Sequence, residues 1–69
     1  MDKNLFVKLN HYISGFAFIK IVDIEAIVDD SDSDTGCNSY VQVKSQRVYL
    51  KETAEEVVHA IKKCIEEFR

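Results

Sequence analysis

The side chains capable of chemistry are few, and their spacing limits what they can do. Asp30, Asp32 and Asp34 alternate along the chain like the opening half of a calcium-binding loop, with Asp29 in the same run. Such a loop needs glycine at its sixth position and a bidentate glutamate at its twelfth. Those positions hold Thr35 and Val41, so no calcium site is expected. The segment reads as a solvated loop or as an acidic patch docking on a basic protein partner. His11 and His59 have no companion at ligand spacing, and His59 falls on a helix face between Glu55 and Lys63. Cys37 and Cys64 lie 27 positions apart without a CxxC. Cys37 is expected in a loop and Cys64 on the apolar side of a helix, so zinc spacing is absent and both thiols stay reduced in a cytosolic setting. Ser14, Ser31, Ser33, Ser39 and Ser45 have no nucleophile-elbow context, and Gly15 and Gly36 are isolated. No acid–base pair, activated nucleophile or phosphate cradle can be assembled. The expectation is a protein with no catalytic residues, no metal and no cofactor.

A second group combines aromatic and basic side chains. Tyr40, Lys44, Arg47 and Tyr49, joined by Lys20, are expected on one outward face of a sheet. Aromatic-plus-basic sheet faces stack bases and bind phosphate in single-strand binders. In a symmetric assembly, two such faces could also enclose a small anionic nucleotide. The alternative is an oligomer contact in which tyrosines fill the interface and the basic residues flank it in water.

The elements that position these residues follow from periodicity. Apolar residues recur at Ala54, Val57, Val58, Ile61, Cys64, Ile65 and Phe68, the stripe of a 3.6-residue helix. Thr53 and Glu56 have capping-box spacing, and Glu55 and Glu56 suit the positive end of the helix dipole. The expected helix spans 54–68. Upstream the period is two, with Val41 and Val43 alternating with polar neighbours, then Val48 and Leu50. A two-residue tip at Ser45-Gln46 would pair Lys44 with Arg47, Val43 with Val48, Gln42 with Tyr49 and Val41 with Leu50. Directly opposed residues share a face, so one side is aliphatic and available to the helix. The tip lacks the Asn-Gly such a turn favours. Three further strands are expected: one around Leu5, Val7 and Leu9; one over 16–21; and one over 25–28, after a turn at Asp23-Ile24. Residues 29–38 are expected as a polar loop. The expected fold is α+β: an antiparallel sheet of four to five strands with one C-terminal helix on one face, in the order β-β-β-loop-β-β-α.

Sixty-nine residues form one domain, 1–69, and exclude a two-lobed enzyme. A chain this short leaves its core marginal, which favours self-association. The apolar content of 46% is too high for a disordered chain. No run reaches the length of a membrane span and no leader pattern opens the chain, so a soluble cytoplasmic protein is expected. The net charge of −3 is unevenly distributed. Lys3, Lys8 and Lys20 outweigh Asp2 near the start, whereas Asp23, Glu25, Asp29, Asp30, Asp32 and Asp34 follow with no base among them. A pI of about 5.2 disfavours non-specific nucleic-acid binding. One helix covers only one side of a sheet, so Phe6, Phe16 or Phe18, Tyr40 and Tyr49 are expected on an uncovered far side. Contiguous apolar patches of that kind are seldom left bare, and a homo-oligomer, dimer or higher, follows.

The runs Ile24-Glu25-Ala26-Ile27, Tyr40-Val41-Gln42-Val43, and Val48-Tyr49-Leu50-Lys51-Glu52-Thr53-Ala54-Glu55-Glu56-Val57 resemble a recurring pattern. It is similar to the small FlbD-like family linked to flagella and swarming motility, and to short proteins encoded by phages and prophages. The likeness covers roughly residues 5–62. It implies a non-enzymatic accessory or regulatory protein that binds a larger protein partner. The phage side implies an anti-defence inhibitor that occupies a host effector or sequesters a nucleotide signal at an oligomer interface. It supplies no catalytic residues.

Overall fold

The computed structural model describes residues 5–68. Five strands precede a single helix: β1 (Phe6–Asn10), β2 (Phe16–Lys20), β3 (Ile24–Asp32), β4 (Cys37–Val43), β5 (Gln46–Leu50) and α1 (Ala54–Phe68). The order and the α+β class agree with the expectation from periodicity.

The strands form two antiparallel sheets rather than one, β1–β2 and β3–β4–β5. A lone bridge between His11 and Leu50 joins them. Beside it, the Tyr12 amide donates to the Tyr49 carbonyl at 3.1 Å and the Lys51 amide donates to the Asn10 carbonyl at 3.0 Å. The end of β1 therefore lies along β5. Alternation in β1 and β2 sends Val7, Leu9 and Ile19 inward, while Phe6, Lys8, Phe16 and Phe18 face out. Gly15 closes the intervening turn at φ +76°, a conformation costly for other residues, and its carbonyl accepts from the His11 amide.

Helix α1 begins and ends where its pattern placed it. The Thr53 hydroxyl accepts from the Glu56 amide at 3.2 Å, and the Glu56 carboxylate accepts from the Thr53 amide at 2.9 Å. The expected capping box is formed. The helix packs on β1, β3 and β4. It buries Val57 against Val7, Leu9, Ile19, Ile21, Val41 and Leu50, with Ala60, Ile61, Cys64 and Ile65 around them.

Four local expectations are corrected. The β4–β5 tip is Lys44-Ser45, not Ser45-Gln46, so Gln42 opposes Arg47, Val41 opposes Val48 and Tyr40 opposes Tyr49. Lys44 does not face Arg47. Each partner moves by two positions, an even shift, so every side chain keeps its face. The polar loop expected over 29–38 is largely strand: β3 continues through Asp32, β4 starts at Cys37, and only 33–36 connect them. Aspartate has low strand propensity, but pairing with β4 (Val28 with Tyr40, Asp29 with Ser39) overrides it. Cys37 consequently lies buried in a strand, its thiol donating to the Ser39 carbonyl at 3.3 Å. The chain after Lys20 leaves the strand for a 3-10 turn, Ile21–Asp23, which re-aims it into β3.

Candidate functional site

The outward face of the three-stranded sheet is built from residues that alternate with the core. Val28, Tyr40 and Tyr49 form one cross-strand row. Tyr12, brought in by the β1–β5 junction, extends it. The Tyr40 and Tyr49 rings lie 5.5 Å apart, and Tyr12 meets Tyr49 edge-on at 5.8 Å. His11 tilts against Tyr12 at 5.0 Å. These separations and angles are favourable for aromatic pairs. Arg47 lies over the Tyr40 ring at 4.7 Å, a cation–π contact. Its pKa is raised above an already high value, first by hydrogen bonding to Tyr49, then by charge interactions with Tyr40, Tyr49 and Asp30. It is a permanent cation.

Of the five residues expected on a shared aromatic and basic face, the structure brings together Tyr40, Arg47 and Tyr49. Lys44 sits exposed at the hairpin tip. Lys20 stands on the other sheet, 5.9 Å from the centre of the Phe6 ring. Tyr12 was not singled out by the sequence, because it follows the end of the β1 alternation and carries no periodic signal.

The four acidic residues divide by role. Asp29 accepts from the Ala54 amide at 3.1 Å, so it caps the helix from a distant strand. Asp32 accepts from the Asp34 amide at 3.0 Å, and its carbonyl accepts from the Gly36 amide at 2.9 Å, closing the β3–β4 connection. Asp30 and Asp34 are exposed, and their carboxylates receive no hydrogen bond among the described residues. Asp30 and Asp32 instead line an open cleft of about 300 Å³ with Tyr12, Thr35, Cys37 and Tyr49. Two carboxylates in that cleft oppose an anionic ligand there and favour a cation.

A broader depression of about 740 Å³ runs along the first turns of α1, between Asn10 and Lys62. Two of its three acidic groups, Glu52 and Glu56, hold structure together. Glu52 accepts from the Asn10 amide with both oxygens, at 3.0 and 2.9 Å, and from the Asn10 side chain at 3.1 Å. Glu56 is the capping-box residue. Among the described residues no group of His, Cys, Asp and Glu is arranged to hold a metal ion.

The chain matches no protein-family model, no curated protein and no solved structure. The surface itself therefore carries the functional argument. Its most exposed apolar part is the outer face of the β1–β2 hairpin. Phe6, Phe16 and Phe18 are 47%, 58% and 65% exposed. Pairing sets Phe6 beside Lys20 and Phe18 beside Lys8. Lys8 also lies 4.0 Å from the centre of the Phe16 ring. Among the described residues neither lysine forms a salt bridge, and nor does any carboxylate of β3. No described helix is long and apolar enough to cross a membrane.

Proposed function

We propose that this is a non-enzymatic interaction protein of the cytoplasm, which self-associates through the outer side of its sheets and regulates a larger protein partner by binding it. The observation that carries the reading is the phenylalanine face of the β1–β2 hairpin. Three rings about half exposed present roughly 340 Å² of aromatic surface. At about 25 cal/mol per Å², covering it contributes roughly 8 kcal/mol before association costs. A patch of that size lies within the roughly 300–600 Å² of the largest apolar patch on a typical monomer, and such patches are often functional. β2 is also an edge strand carrying Phe, Ala and Ile, whereas the opposite edge, β3, is protected by charge.

Light scattering tests the reading. The wild type is expected to exceed the 7.9 kDa of one chain. A Phe16→Ser, Phe18→Ser variant is expected to return to that mass with an unchanged circular-dichroism spectrum. A wild type that scatters as one chain would contradict it.

An accessory or inhibitory role in a motility or phage setting rests on the sequence resemblance alone, which no family model or curated protein matches. Flagellar genes beside the coding sequence would favour the first, and phage early genes the second. A second reading, sequestration of a nucleotide at the oligomer interface, has the Arg47–Tyr40 stack in its favour and the carboxylates of Asp30 and Asp32 against it. A nucleotide panel that leaves the melting temperature unchanged would eliminate it.

A further inference from the structure

We infer that the occupant of the exposed hairpin face is the acidic corner of a second copy of this chain, the two copies stacking outer side to outer side about a two-fold axis. The inference rests on the self-association proposed above and specifies its geometry. The outward faces of the two sheets, joined at the His11–Leu50 bridge, differ in charge. At the β2 end, Lys8 and Lys20 stand among Phe6, Phe16 and Phe18, and no acidic residue occurs from Leu5 through Val22. At the β3 end, exposed Asp30 lines a cleft with Asp32, Tyr12 and Tyr49 next to the Val28–Tyr40–Tyr49 row, and Asp34 is exposed in the connection that follows. Arg47 leans on Tyr40 and offsets part of that charge, but the aspartates of the β3–β4 corner outnumber it.

Both ends combine rings with charges of one sign, and the signs are opposite. A surface carrying a basic aromatic end and an acidic aromatic end is complementary to its own copy when that copy is turned through 180°. Each lysine pair then meets the partner's aspartates, and each set of phenylalanines meets the partner's valine and tyrosines. Both contacts form at once, so the assembly closes as a dimer instead of growing. Opposite charges facing across the interface fix this orientation, whereas a parallel stacking sets lysine against lysine. Asp29 and Asp32 hold backbone amides within the chain, which leaves Asp30 and Asp34 as the carboxylates available to a partner.

Charge reversal tests the arrangement and separates it from self-association as such. One variant carries Lys8→Glu with Lys20→Glu, and the other Asp30→Lys with Asp34→Lys; all four positions are outward or exposed, and circular dichroism checks each fold. The inference predicts a wild-type mass of two chains, one chain for either variant alone, and two chains for their equimolar mixture. In the mixture both reversed ends face each other, and both native ends do too. Raising ionic strength from about 0.15 M to about 1 M is expected to weaken the wild-type dimer by roughly tenfold or more. A dimeric wild type whose variants also remain dimeric would overturn the pairing and leave self-association standing. Monomeric variants that stay monomeric when mixed, or a mixture that grows beyond two chains, would overturn it as well. A wild type of one chain would overturn both readings.

Discussion

Replacing Glu52 by alanine is expected to be among the most damaging single changes outside the apolar core. Among the described residues the two sheets share only one backbone bridge, His11 with Leu50, and its two flanking hydrogen bonds. Glu52 reinforces that seam from the segment leading into α1. Its carboxylate accepts three hydrogen bonds from Asn10, two of them from the main-chain amide, and its carbonyl accepts from the buried Ser39 hydroxyl at 2.6 Å. Hydrogen bonds to a charged acceptor contribute about 1.5–3 kcal/mol when well formed. Glu52 is only half-buried, which places Glu52→Ala near 2 kcal/mol. For a domain of this size that lowers the melting temperature by roughly 8–16 °C.

The same geometry predicts an asymmetry. Asn10→Ala removes only the side-chain donor and keeps the amide, so it should cost about 0.5 kcal/mol. Urea unfolding followed by circular dichroism measures both values, and hydrogen exchange at the Asn10 amide should quicken in the Glu52 variant alone. Equal costs for the two variants, or a Glu52→Ala protein as stable as the wild type, would refute the claim that this carboxylate holds the sheets together.

Three further outcomes follow from local geometry. Lys44 takes φ +56° at the hairpin tip; relieving about 1–2 kcal/mol of left-handed strain at the entropic cost of glycine should make Lys44→Gly more stable by roughly 0.5–1 kcal/mol in a thermal or urea melt. Asp29→Ala removes a helix-capping acceptor and should lower the urea midpoint by the equivalent of about 1 kcal/mol. Cys37 is buried and Cys64 partly exposed, so a thiol reagent should modify Cys64 rapidly and Cys37 only as the protein opens, with mass spectrometry of the peptides giving the order.

The sequence was most legible where a period and a chemical signal coincided. Helix α1 announced its span through the 3.6-residue stripe and its start through Thr53 and Glu56, and both signals are local. The faces of β4 and β5 were legible although the tip was not. Parity fixes which side Val41 and Leu50 take, while the tip depends on Lys44 accepting an unfavourable dihedral angle. Asp29 through Asp32 looked like a loop because strand signals come from apolar alternation, and here a neighbouring strand supplies the pairing. The Glu52–Asn10 clamp spans 42 positions and leaves no pattern for spacing to reveal. Tyr12 joined the aromatic row only through the β1–β5 junction, a tertiary event. Lys20 left the group for the same kind of reason, since two strands that read alike belong to different sheets.

Sedimentation equilibrium of the unmodified protein over a wide concentration range bears most directly on the central claim that the phenylalanine side of the hairpin is covered by another copy. The account predicts a mass converging on twice 7.9 kDa as concentration rises. A mass that stays at 7.9 kDa throughout would contradict it.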